Sequence, residues 1–423
     1  GGTLQLSSYG GQDIETVGNP QMSFFKSVYK KHTNFAIETI QQQFEGTLSH
    51  NECKVNAKIN KNGDLIHKCF LDIKFPEFPK TGSPDYYNWT NSTAHAYVKE
   101  VSLFIGELLI DKHISEWFDI WNELTVDYEN DHLLVNKHLA KNSYLKSNNT
   151  NCKPVQCYVP LQFWFNKYAN AALPLIALQY HDVKIEFLFR DLNYLINTDG
   201  SLGTNTTAPD TKLFVDFIFL DVEERKQFAQ KPHQYLIEQL QYVKIPLTMK
   251  NEIKFNHTVK ELIWVCRNNN VGAESTSTID ATLNVVTGGS PALSNGNDYF
   301  NYSTLNSNNI EYVGGYPSNE PFSHATLTFN GIDRFNKQRA SYFRTIQPIN
   351  YHKRIPNKHI YCYSFALKPE ILQPTGTCNF SRMHTAFLEF ENITSDSTEL
   401  IVFATNYNIL VIKSGMGGLK YSN

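Results

Sequence analysis

Strong charge of either sign is missing from this chain. Across 423 residues, 38 Lys and Arg face 41 Asp and Glu, for a formal net charge of −3. No basic face for nucleic acid is expected, which excludes direct genome binding. Long apolar runs are missing too: the longest, such as 173–178 and 400–404, fall far short of the roughly 18–20 residues that cross a bilayer as a helix. The opening GGTLQLSSYGGQD has neither the basic nor the apolar region of a signal peptide, and Gln5 stands where a myristoylation signal wants Ser or Thr. These features read as a soluble protein. Cysteine is scarce, seven residues without a Cys-x-x-Cys pair, and predicts mostly free thiols of a reducing compartment, with pairing of Cys152 and Cys157 left open.

The motifs that carry chemistry are absent as well. The 14 histidines are scattered singly with no His-x-His, so the imidazole clusters of a metal site are not expected. No Gly-x-Ser-x-Gly elbow, His-Glu-x-x-His helix or phosphate-cradling Gly loop occurs. The acid pair Glu223-Glu224 falls in a predicted linker helix, and His181-Asp182, just before a strand, reads as structural. The expectation is a protein that is not an enzyme, with no catalytic residue, metal or cofactor.

What is present is a pattern that occurs twice. The stretch from Tyr158 to Phe187 runs from an aromatic strand through a Pro-containing turn into a second strand, and 361–390 echoes it, with Ile185-Glu186-Phe187 returning as Leu388-Glu389-Phe390. Earlier, Val101-Ser-Leu-Phe-Ile-Gly106 leads to Trp117-Phe118, just as Ala325-Thr-Leu-Thr-Phe-Asn-Gly331 leads to Tyr342-Phe343. Elements repeated in the same order indicate one domain made twice. Aromatic content of 13% and abundant β-branched residues and Asn favour strands joined by polar loops. The fold class read here is all-β: two tandem eight-stranded jelly-roll sandwiches with short helices and long loops.

In chain order, residues 1–24 read as an arm, followed by a first jelly roll over 25–220 that opens with a strand on which Phe35, Ile37 and Thr39 alternate with polar neighbours. Lys30-Lys31-His32 reads as a solvated basic cluster. Asn60-Lys-Asn-Gly-Asp64 predicts a hairpin between strands 53–59 and 65–75. A strand is expected over 97–110, then an amphipathic helix carrying Ile114, Trp117, Phe118, Trp121 and Leu124, capped by Asp111 or Ser115. Residues 221–232 read as a linker helix with acids first, 233–414 as the second jelly roll and 415–423 as a tail. The long polar stretch 268–323 reads as an outer loop whose Tyr299, Phe300, Tyr302, Tyr312 and Tyr316 pack against neighbouring subunits.

Gly18-Asn-Pro-Gln-Met-Ser-Phe-Phe-Lys-Ser-Val-Tyr-Lys-Lys-His-Thr-Asn-Phe-Ala-Ile-Glu, Leu173-Pro-Leu-Ile-Ala-Leu-Gln-Tyr-His, Tyr235-Leu-Ile-Glu-Gln-Leu, Gly376-Thr-Cys-Asn-Phe-Ser-Arg382 and Ser414-Gly-Met-Gly-Gly-Leu419 closely resemble the major capsid proteins of large icosahedral nucleocytoplasmic DNA viruses, nearest to those of algae. The resemblance spans nearly the whole chain and weakens in loops 126–155 and 268–323. It implies a double jelly roll that trimerises into a pseudo-hexagonal capsomer of an icosahedral virion shell assembled in the host cytoplasm. Implied partners are two further copies of the chain, neighbouring capsomers, and minor capsid proteins and an inner membrane on the amino-terminal side. It also implies glycans on outer loops, for which Asn301 is the first candidate, followed by Asn88, Asn91 and Asn392. The competing reading is a double jelly-roll carbohydrate-active enzyme or glycan-binding protein, which needs a convergent acidic cleft.

Overall fold

Alternating burial along the chain builds two pairs of sheets. The computed structural model describes residues 2–82, 87–90, 92–126, 151–198, 201–267, 299–302, 320–395 and 397–421, and the backbone of 312–313 and 316–317. A first set of strands runs β1 (Phe35–Gln42), β2 (Cys53–Lys58), β3 (Leu65–Phe75), β4 (Val98–Ile105), β5 (Leu108–Ile114), β6 (Val155–Pro160), β7 (Val183–Phe189) and β8 (Asp210–Leu220). A second set runs β9 (His233–Pro246), β10 (Lys250–Glu252), β11 (Thr258–Arg267), β12 (His324–Phe329), β13 (Ile332–Asp333), β14 (Tyr361–Ser364), β15 (Ala386–Glu391) and β16 (Glu399–Lys413).

The sheet orders show the duplication strand for strand. The first set forms β1-β8-β3-β6 and β2-β7-β4-β5, and the second forms β9-β16-β11-β14 and β10-β15-β12-β13. Adding eight to each label of the first pair yields the second, so these are two jelly rolls of one topology. The repeated segments fall on matching elements: the 101–106 and 325–331 stretches on β4 and β12, and the 185–187 and 388–390 stretches on β7 and β15.

Each strand's side-chain alternation decides which way it faces. On β7, Val183, Ile185, Phe187 and Phe189 are buried while the residues between them are half-buried. Phe189 stacks on Tyr97 with centroids 4.7 Å apart, and Tyr97 meets Phe75 edge-on. The second core places Phe322 against Phe390 at 4.5 Å, with Trp264 beside Phe343 and Tyr361. The strand pairs β8·β3 and β16·β11 each carry one bulge, between Val215 and Phe217 and between Val259 and Glu261.

Three local expectations are corrected. The Asn60–Asp64 turn does not close a hairpin, because β2 pairs with β7 while β3 pairs with β8 and β6. The turn crosses from one sheet to the other, since both strands carry core residues that face across the sandwich rather than lie side by side. Its backbone is held by Asn60 donating to Gln42 and Asp64 donating to the Ile218 carbonyl. The strand expected over 97–110 breaks at Gly106 (φ +62°) into β4 and β5, which pair with each other. Helix α1 (Ser115–Thr125) forms where predicted, yet no side chain caps it.

A second helix, α2 (Val222–Gln230), is capped by the Asp221 carboxylate, which accepts from the Val222 amide at 2.8 Å. Residues 36–423 make one compact unit and residues 1–35 another, the latter with short helices Gly2–Ser7 and Ile14–Val17 that bury no side chain. No helix of the described residues is long and apolar enough to cross a membrane.

The equivalent turn glycines, Gly106 (φ +62°) and Gly331 (φ +81°), both occupy left-handed backbone, but only at Gly106 does an added Cβ meet a side chain, the His181 ring at 3.2 Å. Replacement by Ala should therefore cost about 1 kcal/mol at Gly331, from backbone strain alone. At Gly106 it should cost roughly 2 kcal/mol or more, because crowding adds to the strain. Urea unfolding of the two variants measures the difference, and equal losses would refute the crowding argument.

Candidate functional site

No group of three or more His, Cys, Asp or Glu is arranged to hold a metal ion among the described residues. His181 Nδ1 lies 3.1 Å from the Gly417 carbonyl, and Asp182 pairs with Lys58 at 2.7 Å on the surface, so this pair ties segments together. All seven cysteines are free, Cys152 and Cys157 included; burial pushes the Cys157 thiol up to about 12. The concentration of chemistry lies elsewhere, where the two rolls meet.

Helix α1 faces two ways. Trp117, Phe118, Trp121 and Leu124 supply the expected apolar stripe, but Glu116, Asp119 and Glu123 are buried as well. Lone buried carboxylates cost several kcal/mol each. Here every one has a cation from the second roll. Lys244 and Arg267 reach Glu116 at 2.8 and 3.1 Å. Lys358 reaches Asp119 at 2.7 Å, and Arg354 reaches Glu123 at 3.0 Å. Tyr302 also donates to Asp119, and the Asn357 amide to Glu123. Asp111, expected as the helix cap, instead accepts from the backbone amide of Leu240 on β9 at 3.0 Å.

Below this ladder a second polar cluster crosses the same seam. The bulge on β11 leaves Lys260 unmatched on β16 and turns its ammonium onto Glu238, which also accepts from the Tyr168 hydroxyl of the first roll. That hydroxyl shares its one proton between Glu238 at 3.3 Å and the Glu370 carbonyl at 2.7 Å, and Lys167 lies 3.9 Å over the Trp121 ring. Beside them His352 sits 3.1 Å from Glu261 and 3.2 Å from Glu370.

Between the polar clusters the seam is apolar and continuous with the first core. Leu240, Ile263, Val265, Ile401, Phe403, Leu410 and Ile412 belong to one cluster with Val101 and Phe187 of the first roll. Their strand neighbours Leu262, Trp264 and Val402 point the other way, into the second roll's own core. The outer face of sheet β9-β16-β11-β14 is thus covered by β5 and α1 of the same chain, with Trp117 against Phe403 at 5.4 Å.

The loop tyrosines also come here. Tyr299, Phe300 and Tyr302 are buried. Tyr299 donates to the Tyr194 carbonyl of the first roll, and Arg190 lies 4.1 Å over its ring. The expectation that these residues pack on neighbouring subunits is corrected for all three: they anchor the loop to the first roll of their own chain. The side chains of Tyr312 and Tyr316, and most of 126–155 and 268–323, lie outside the described residues.

The glycan candidates are dispersed. Asn301, the first choice, is 7% exposed, which leaves no room for a sugar on its carboxamide. Asn88 is half-buried on the short strand Tyr87–Trp89, and Asn91 lies outside the described residues. Asn392 is exposed and donates to the Ser323 hydroxyl.

Burial alone would raise the Glu116 carboxyl, but the Arg267 guanidinium and the Lys244 ammonium overcome it and hold it down at about 2. At Glu261 burial likewise opposes ionisation, and His352 and Lys260 prevail to lower it. Burial disfavours the charged His352, yet Glu261 and Glu370 raise its imidazole well above the usual range.

Comparison with known proteins gives the family of this architecture. Residues 23–221 match the family model for the major capsid protein amino terminus, and 224–418 match that for the large eukaryotic DNA virus major capsid protein. The chain is 37% identical to the major capsid protein of Pyramimonas orientalis virus and 35% identical to that of Paramecium bursaria Chlorella virus 1, each over the full length of both chains. The PBCV-1 virus capsid structure aligns with a TM-score of 0.77 and 33% identity, over 95% of this chain and 100% of that one. The Faustovirus major capsid protein, at 12% identity and a TM-score of 0.74, shares the fold.

Breaking one rung of the ladder strands a buried charge. Lys358→Ala should cost about 3–5 kcal/mol, whereas Lys250→Ala, which breaks an exposed pair with Glu389, should cost under about 1 kcal/mol. Chemical denaturation of both variants checks the contrast. Because the Glu116 carboxyl sits at about 2 in the folded chain against 4.5 as its ordinary value, its stabilisation is present above pH 4.5 and lost as pH falls towards 2. The acid midpoint should move upward in Lys244→Ala; an unchanged midpoint would remove Glu116 as a cause.

Proposed function

The chain belongs to the family of large eukaryotic DNA virus major capsid proteins, and on that premise we propose that three copies close into a capsomer of hexagonal outline. Members of the family are structural proteins of the virion capsid, not enzymes. The observation that carries the capsomer reading is the strand-for-strand repetition of the two rolls. Two like rolls in each of three copies place six like units about one axis, so an object with threefold symmetry fits a hexagonal net.

We assign residues 1–24 to an arm, 25–220 and 233–414 to the two rolls, 221–232 to the link and 415–423 to the tail. Loops 76–93 and 268–323 connect β3 to β4 and β11 to β12, equivalent positions that would place both at one end of the rolls, on the outside of the shell. The arm, with Phe24 exposed, would face inward towards minor capsid proteins and an inner membrane. Among the described glycan candidates Asn392 takes the lead from Asn301, because it is exposed. The balanced charge supports a shell that does not touch the genome directly, and assembly in the host cytoplasm accords with the unpaired cysteines.

Purified protein should sediment as a trimer at micromolar concentration and give hexagonal outlines in negative stain. A stable monomer under those conditions would overturn the capsomer reading.

A further inference from the structure

The seam inside the chain uses one copy of each of two kinds of surface, and the duplication leaves a second copy of each without a partner. The outer face of β9-β16-β11-β14 is covered by β5 and α1. Its first-roll equivalent is the outer face of β1-β8-β3-β6. Across that sheet Phe214 stacks on Phe70 with centroids 5.3 Å apart, and Phe70 meets Tyr158 edge-on. Thr39 donates to Asp216 on the same side, which by strand alternation brings Ile37 to this face. Ile37 is 53% and Tyr158 38% exposed. Beside them opens a cleft of about 570 Å³ lined by Phe70, Tyr158, Pro160 and Leu161 together with Lys68 and Lys167.

The remaining surface is the second roll's counterpart of β5 and α1. It consists of β13 and the turn Tyr342–Ile346 with the helix Gln347–Tyr351 that follows it. Three isoleucines stand out from it: Ile332 is 74%, Ile346 48% and Ile349 62% exposed. The expectation of a half-buried face formed by Phe35, Ile37 and Thr39 is corrected here: Phe35 and Ile37 are exposed and turn away from the core of their own roll, and Ile40 of the same strand packs on it instead.

We infer that the outer face of β1-β8-β3-β6 is covered, in the capsomer, by β13 and the 342–351 segment of a second copy of this chain. This rests on the trimer reading and names its surfaces. The contact is heterologous, face to counter-face, and repeats the seam within the chain, so three copies close a ring of six alternating contacts. The two kinds of contact differ in chemistry. Segment 342–351 has no Asp or Glu, and its one Arg, Arg344, turns inward to Glu320. The contact between copies therefore lacks the acid-bearing helix of the internal seam and centres on the exposed apolar residues, with Asp72 and Asp216 on the sheet face and Asp333 on β13 as its polar neighbours.

The full-length chain carrying Tyr158→Glu, and separately Ile349→Glu, should melt as the unmodified protein does while its trimer weakens about a hundredfold, as loss of a central interface residue does. Ile37→Glu and Ile332→Glu provide second variants of the two surfaces if either of the first pair fails to fold. An equimolar mixture of Tyr158→Glu and Ile349→Glu should sediment as a dimer. Each chain keeps the surface that the other has lost, so one contact forms and the ring cannot close. A folded variant that remains a trimer, or a mixture that stays monomeric, overturns the pairing of surfaces. An unmodified chain that is itself monomeric overturns the trimer reading instead.

Discussion

Three carboxylates on one helix, buried against four cations from the other roll, are the constraint on which the remainder of residues 36–423 depends. The helix cannot leave the second roll without stranding Glu116, Asp119 and Glu123 in apolar surroundings, nor can Arg354 and Lys358 lose it without the same cost. Burying charge in this way is an expensive means of adhesion compared with an apolar surface of equal area. What it supplies is register: one rotation and one offset of roll against roll satisfies all the pairs together, whereas Trp117 and Phe403 alone tolerate sliding.

The two rolls share topology and differ in chemistry at equivalent places. Where the first has an acid-bearing α-helix, the second has a wider π-turn with no acid, Tyr342–Ile346. Where the second carries Lys244, Lys260 and Arg267 on its outer sheet face, the first carries Ile37, Phe70, Phe214 and Tyr158 beside Asp72 and Asp216. A duplicated domain that kept both halves identical would not distinguish its own partner roll from a neighbour's. The ionic ladder, present where α1 meets the second roll and without an acid to form it in residues 342–351, fixes which roll seats on α1 and in what register.

Much of the fold was legible in the sequence because period-two alternation of aromatic and branched residues is a local signal, written into segments such as 183–189 and 386–391. The duplication was legible for the same reason. The Asn-Gly turn misled because its chemistry specifies a tight reversal but not which sheet the next strand joins; that choice belongs to the pairing strands, at Phe189 for β2 and Leu213 for β3, far away in the chain. The carboxylate stripe was invisible for a related reason. Glu116, Asp119 and Glu123 have the spacing of an ordinary solvated helix face, and their partners lie 128 residues on, at Lys244, and 239 residues on, at Lys358. The signal available was negative: no base stands four residues along the helix from any of the three.

The anchor at Tyr299, Phe300 and Tyr302 alters how the chain can vary. By fastening the middle of the long connection between β11 and β12 to Tyr194 and Asp119, it divides one excursion into two, each with both ends held. Closure entropy rises only with the logarithm of length, so either excursion can gain or lose residues cheaply, and a change in one does not propagate past the anchor to the other. The chain thus has two independent lengths to vary, while the aromatic residues between them stay constrained by the seam they help to fill.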